Sequence, residues 1–172
     1  MSQPLFTIRY RGACPKNIQR AAFNKLLKEA YRLLGIHWHT KLRRKHFTHA
    51  GAREYQYLPR KGEPGSGRAF KGSYTARKLK TQHHTLPLVF TGESRQLTQR
   101  QDVRSTSKGS RVVIRANKFN FRHKASKIRM REEMTRLSDK DKALLTVLLG
   151  DFVRAQLAQA NWRWAPTTVS IP

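Results

Sequence analysis

The sequence predicts an α+β fold, in which a small antiparallel sheet with a β-hairpin packs against two main helices, beside a long basic arm or loop. Apolar residues recur at three- and four-residue steps over residues 18–34 and again over 138–157, which is the spacing of a buried helix face. Residues 97–117 contain alternating apolar and polar side chains and a turn-forming Ser-Lys-Gly-Ser run at 107–110, which is typical of a hairpin. Strands and helices therefore occupy separate parts of the chain, as in α+β proteins.

The chain begins with a predicted strand over 5–11, where Phe6, Ile8 and Tyr10 alternate with polar residues. The helix predicted over 18–34 follows, and Gly35 is expected to end it with a left-handed cap. The apolar face of this helix comprises Phe23, Leu26, Leu27, Ala30, Tyr31 and Leu34.

Residues 37–85 are rich in Lys and Arg and include a Gly-, Ser- and Pro-containing loop at 62–67. We predict an extended basic arm here, with interleaved aromatic residues and a short helix at 75–83. The last residues, 162–172, form an apolar tail that we expect to dock on a neighbouring protein. Both segments belong to one predicted domain over 1–172.

Residues 86–97, L-P-L-V-F-T-G-E-S-R-Q-L, separate the basic half of the chain from the patterned half. The short apolar run at 88–90 predicts an extended segment that is buried on both faces. Gly92 permits a turn, and Thr91 is placed to cap a helical turn that begins at Glu93.

A further strand is predicted around 128–134, where apolar residues alternate with charged ones. The final helix is opened by an acidic capping sequence at 138–141 and is apolar around most of its circumference. We therefore expect it to lie centrally or between subunits, and Gly150 suggests a close approach by another element. The candidates for subunit packing are Leu145, Leu148, Leu149 and Phe152.

Charge is the strongest global signal, because the chain carries 36 Lys and Arg against 10 Asp and Glu, a net charge of +26. Nucleic acid is the expected partner of such a surface, since each cation placed on a phosphate releases condensed counterions. The contact residues that we predict in the basic arm are Lys41, Arg43, Arg44, Lys45, Arg60, Lys61, Arg68, Lys71, Arg77, Lys78 and Lys80.

No arrangement of residues indicates catalysis, a cofactor or a metal site. His37, His39, His46 and His49 have no cysteine or acid nearby and have several cations around them. The glycines at 62–67 have P-loop spacing, but Arg68 and Ala69 replace the Lys and Ser or Thr that would contact phosphate and magnesium. Cys14 is the single cysteine and has no base partner. We therefore predict a protein that binds and is not an enzyme.

Residues 71–97, K-G-S-Y-T-A-R-K-L-K-T-Q-H-H-T-L-P-L-V-F-T-G-E-S-R-Q-L, resemble the tail-completion and virion-morphogenesis (head–tail joining) proteins of long-tailed bacteriophages. In that family a basic helix or loop leads into P-L-V-x-T-G-x-L-R and then a β-hairpin. The helix at 18–34 and the segment 128–152 also fit the family's order. The motif positions are Pro87, Leu88, Val89, Thr91, Gly92 and Glu93.

The resemblance implies a structural neck protein that forms a ring, commonly a hexamer, around the DNA channel between head connector and tail tube. Its implied partners are other copies of itself, the connector or adaptor, the tail terminator or tube proteins, and passing DNA through non-specific contacts. It implies a place in the virion neck or tail after assembly in the host cytoplasm, without a membrane or a cofactor. The alternative is a ribosomal or other ribonucleoprotein RNA-binding protein, which the charge and the basic arm also suit.

Overall fold

The computed structural model describes residues 10, 14, 18–89, 91–114 and 127–159. These residues have an α+β fold, with helices and one two-stranded antiparallel sheet, as predicted. The elements are α1 (Arg20–His37), a π-helical segment (Trp38–Leu42), α2 (Arg43–Lys45), α3 (His49–Glu54), α4 (Tyr74–Gln82), α5 (Glu93–Leu97), β1 (Val103–Thr106), β2 (Gly109–Val112), α6 (Met130–Thr135) and α7 (Asp139–Gln159).

The chain divides into two compact units. Unit 1 comprises Met1–Leu42, Gln101–Val113 and Leu137–Pro172, and unit 2 comprises Arg43–Arg100 and Ile114–Arg136. That the whole of 1–172 acts as one domain stays a prediction.

The core of unit 1 is built on α1, which contacts both hairpin strands and α7. All six residues predicted for its apolar face are buried, so the helical spacing was interpreted correctly. Tyr10 joins this core, because its backbone N–H donates to the Tyr31 hydroxyl at 2.6 Å and its ring lies 5.9 Å from that of Phe23. The other residues of the predicted strand at 5–11 lie outside the described residues.

Gly35 does not end α1, so the predicted left-handed cap is wrong. The helix continues to His37 and then into the π-helical segment, in which Trp38 and Leu42 are buried. A Cβ atom at Gly35 would lie 2.6 Å from Val103 Cγ1 and would also meet the Ser110 hydroxyl. The glycine is therefore explained by the close approach of the hairpin to α1, and not by a turn.

The predicted hairpin is confirmed in the part of the chain that is described. β1 pairs antiparallel with β2 from Val103 opposite Val112 to Thr106 opposite Gly109, which leaves Ser107 and Lys108 at the turn. The predicted continuation beyond residue 114 lies outside the described residues.

The last helix, α7, is also confirmed. Ser138 Oγ accepts the Asp141 backbone N–H at 3.1 Å, which is the expected capping interaction. Leu145 and Leu149 are fully buried within unit 1, so they are unavailable to a neighbouring subunit and their predicted packing role is corrected. Leu148 and Phe152 are half-buried.

Two predictions are wrong because short segments expected to be an extended arm and a strand are helical. The extended arm is wrong for residues 37–54, which comprise the end of α1, the π-helical segment, α2 and α3; Phe47 and Tyr55 beside them are buried. The strand predicted at 128–134 is instead α6, in which Met134 is buried. Its apolar residues 130 and 134 are four apart, a spacing that fits a helix as well as a strand.

Within the motif at 86–92, residues 87–89 are buried and lie at a turn, where an extended segment was predicted. Pro87, Leu88 and Val89 are buried, and Leu88 adopts a positive φ of 55°. The predicted helical turn from Glu93 is confirmed as α5, although Gly92, with φ 88°, occupies the N-cap position in place of Thr91. The short helix expected at 75–83 is confirmed as α4, and Ser73 Oγ caps it by accepting the Ala76 N–H at 3.1 Å.

None of the helices in the described ranges has both the length and the apolar character that crossing a membrane requires.

Candidate nucleic-acid interface

Most of the few acidic side chains are already neutralised within the fold. Among the described residues, at least seven of the 10 Asp and Glu residues lie within 4.0 Å of a Lys or Arg nitrogen. These pairs are Arg32–Glu29, Lys45–Glu54, Arg60–Glu133, Arg104–Asp102, Arg129–Glu132, Lys142–Asp139 and Arg154–Asp151. With 36 Lys and Arg against 10 Asp and Glu, most cations exceed the available acids, and those at the surface produce a positive field.

Unit 2 carries many of these exposed cations. Among the predicted contact residues in this unit, those with exposed side chains are Arg44, Lys61, Arg68, Lys71, Arg77 and Lys80. Lys45 is half-buried beside Glu54, 3.6 Å away, and Lys41 is exposed in unit 1. We call the six exposed residues of unit 2 the basic surface.

The other three predicted contact residues are structural. Arg43 is 5% exposed, and its Nη1 donates to Thr98 Oγ1 at 2.8 Å, which links α2 to the end of α5. Burial, followed by repulsion from Arg44 and Arg95, lowers the pKa of Arg43. An arginine with this hydrogen bond and this burial supports the fold of unit 2 and cannot lie flat on a phosphate backbone.

Arg60 forms a two-point ion pair with Glu133 of α6. Its Nη1 and Nη2 atoms donate to the two carboxylate oxygens at 2.8 and 2.5 Å, and both side chains are largely buried. The Tyr57 hydroxyl donates to the Glu133 backbone carbonyl at 3.0 Å, and burial raises the pKa of Tyr57. These bonds connect residues 57–60 to α6, which lies more than 70 residues further along the sequence.

An aromatic stack extends this polar cluster. The rings of His46 and Tyr55 lie 4.2 Å apart and nearly parallel, and His46 Nδ1 lies 2.6 Å from the Tyr57 hydroxyl. Arg136 adds two hydrogen bonds, to the carbonyl oxygens of Tyr55 at 3.1 Å and of Gln56 at 2.7 Å. The stack and its bonds hold residues 55–57, which lead into the loop at 58–73.

Lys78 anchors the motif at 86–92. It is 4% exposed, its Nζ donates to the Leu86 carbonyl oxygen, and it lies 5.9 Å from the centre of the Tyr74 ring. Burial lowers its pKa to about 8; the charge of Glu63 opposes this shift and that of Arg60 adds to it. Sequence reasoning placed Lys78 among the surface cations because its spacing within α4 gives no sign of this contact.

Exposed aromatic rings lie among the cations of the basic surface. Phe70 is 49% and Tyr74 38% exposed, and the guanidinium of Arg77 lies 6.0 Å from the centre of the Tyr74 ring. Cations neutralise phosphates, while exposed rings provide faces for bases or apolar groups. The composition of this surface therefore suits a polyanion.

Within the described ranges, no group of three or more His, Cys, Asp or Glu side chains could hold a metal ion. No protein-family model, curated protein or solved structure matches the chain.

Proposed function

We propose that this chain is a structural head–tail joining protein of a long-tailed phage, which assembles as a ring around the DNA channel between head connector and tail tube. The observation that carries the proposal is the basic surface, whose cations are exposed while most acids of the chain are paired elsewhere. The resemblance of residues 71–97 to the family supports the same conclusion.

The mechanism is electrostatic. Lys and Arg side chains at the channel wall replace the counterions of passing DNA, which favours contact without fixing a register. Contacts of this kind weaken steeply with salt and let the duplex slide during ejection.

Copies of a chain with net charge +26 repel one another, so a ring requires an interface of low charge. α7 provides one, because its three acids and three bases balance. It also exposes Leu144 at 42% and Val147 at 58%, next to the half-buried Leu148 and Phe152. We propose that copies contact one another through this face, with Leu148 and Phe152 among the packing residues.

The second candidate is an RNA-binding component of a ribonucleoprotein. The exposed rings of Phe70 and Tyr74 among cations favour it, because stacking on single-stranded bases would use them. The passage of duplex DNA through a channel gives these rings no such role.

Charge reversal on the basic surface tests the proposal. Replacing Arg44, Lys61 and Lys80 together with Glu should reduce tail attachment and infectivity in producing cells, because the channel wall would then repel DNA. The matched control reverses Arg20, Arg104 and Lys108, which are exposed in unit 1 and lie outside α7. Arg43 is left unchanged, since its loss would disturb the fold itself.

Electron microscopy and plaque counts measure the outcome. Tailed, infectious particles at normal yield from the basic-surface variant would contradict the proposal. Loss of ribosome association, with no effect on particles, would favour the RNA-binding candidate instead.

A further inference from the structure

Unit 1 contains a groove that shares no residue with the basic surface. It encloses about 480 Å³ and lies between α1, strand β1 and α7. Its lining includes Ala22 and the buried Leu26 of α1, which we call its apolar floor, together with Ser105 of β1 and Gln156 of α7. A groove of this size accommodates side chains of a bound segment.

The α1 rim of the groove is cationic. Lys25, Lys28 and Arg32 are exposed and follow one another at three- and four-residue steps, so they lie along one side of the helix. Glu29 interrupts this row, and Arg32 Nε and Nη2 donate to its carboxylate at 2.9 and 2.7 Å. The hydrogen bonds from Arg32 lower the pKa of Glu29, so the carboxylate stays ionised.

We propose that this groove docks an acidic, amphipathic segment of a partner protein, whose carboxylates meet Lys25 and Lys28 and whose apolar side chain fills the floor at Ala22 and Leu26. The charge of the rim selects an acidic segment. The apolar floor gives a peptide side chain a place to be buried, which a phosphate backbone cannot use.

Two other occupants fit less well. Glu29 places a negative charge within the row of cations, where a continuous line of phosphates would be repelled. A second copy of this chain would bring a surface with net charge +26, and most of its acids are already paired. An acidic segment can space its carboxylates to meet Lys25 and Lys28 and place an uncharged residue opposite Glu29, which a continuous line of phosphates cannot do.

Fluorescence anisotropy with the full chain tests the proposal. The probe is a labelled peptide in which Glu and Leu recur at helical spacing, compared with the same peptide carrying Lys for Glu and with a labelled DNA duplex. The acidic peptide should bind and the basic one should not. Replacing Lys25 and Lys28 together with Glu should weaken peptide binding about tenfold or more.

Two further variants separate the groove from general charge. Ala22→Phe fills the floor without changing charge, so it should weaken the peptide and leave DNA affinity unchanged. Glu29→Gln releases Arg32 and should tighten acidic-peptide binding by about two- to fivefold. The control is the double replacement of Arg20 and Lys140 with Glu, which gives the same charge change outside the groove lining.

Circular dichroism and thermal melting verify that each variant is folded. The proposal is overturned if the acidic peptide does not bind, if the Lys25 and Lys28 variant and the control weaken it equally, or if Ala22→Phe has no effect on it. It is equally overturned if Ala22→Phe weakens DNA binding as much as peptide binding, because the groove would then belong to a nucleic-acid surface.

Discussion

Lys78 shows how a residue from a basic run becomes part of the fold. Its amine is buried against the Leu86 carbonyl and beside the Tyr74 ring, and burial lowers its pKa to about 8. The amine is therefore used as a hydrogen-bond donor that fixes the turn preceding α5, and it is unavailable to an external anion.

The stability of the protein should depend on pH through Lys78. Its folded pKa, about 8, lies below the ordinary value of 10.5, so between these values the unfolded chain holds a proton that the folded chain lacks. Stability from this group consequently rises with pH across that window, by up to about 3 kcal/mol at about 1.4 kcal/mol per pKa unit. Urea unfolding at a series of pH values measures the slope.

Lys78→Met removes the titrating group while keeping a long apolar stem. The variant should lose this part of the rise in unfolding free energy between pH 8 and 10.5. Equal slopes for the two proteins would show that the amine is not buried as described.

The ion pair between Arg60 and Glu133 should be essential to unit 2. Glu133→Gln leaves the buried guanidinium without its counter-charge, which costs about 3–5 kcal/mol of unfolding free energy. Glu132→Gln is the matched control, because that side chain is 66% exposed and only 3.4 Å from the exposed Arg129. The control should change stability by less than about 1 kcal/mol in the same urea titration. Similar losses for both variants would argue against the buried pair.

At the scale of elements, the hairpin packs closely on α1 at Gly35, where the absence of a side chain leaves room for Val103 and Ser110. Gly35→Ala should destabilise unit 1 by about 1–3 kcal/mol despite alanine's better helix propensity, because the new methyl group meets Val103 and Ser110.

Gly150→Ala in α7 is the contrasting substitution. Among the described residues, the nearest atom to its new Cβ would be Arg154 Nη2 at 3.6 Å, an ordinary contact, so this part of the chain shows no close approach of the kind expected at Gly150. This variant should gain about 1 kcal/mol. Thermal melting of both variants measures the difference, and a gain in stability from Gly35→Ala would contradict the packing of the hairpin on α1.

Long periodic segments could be predicted from the sequence, and short ones could not. α1 and α7 each repeat their apolar spacing over several turns, so the helical period is unambiguous. α6 has six residues, over which the spacings of a strand and a helix both fit. The high charge of residues 43–54 predicts an extended arm, but this part of the chain is held in the fold by aromatic residues, since Phe47 and Tyr55 are buried.

The candidate site was predictable in composition but not in geometry. The exposed cations at Arg44, Lys61 and Lys80 follow from the charge excess, since most charged side chains stay at the surface. The buried roles of Arg43, Arg60 and Lys78 depend on partners 8 to 73 residues away, at Thr98, Glu133 and Leu86. No local pattern reveals contacts at such separations.

At the scale of the whole molecule, two surfaces differ in charge and in exposed apolar area. Unit 2 presents the basic surface, whereas α7 in unit 1 is electrically balanced and exposes apolar side chains at Leu144 and Val147. The proposed ring around DNA would require both kinds of surface, because copies with a net charge of +26 repel one another and a contact of low charge would have to hold them together.

The most direct test of this account is density-gradient fractionation of producing cells, with quantification of this protein across the fractions by mass spectrometry. The account predicts a peak with tailed particles, at a small fixed ratio to the portal protein. A peak with ribosomes that ribonuclease treatment removes would contradict it and would make the basic surface an RNA-binding one.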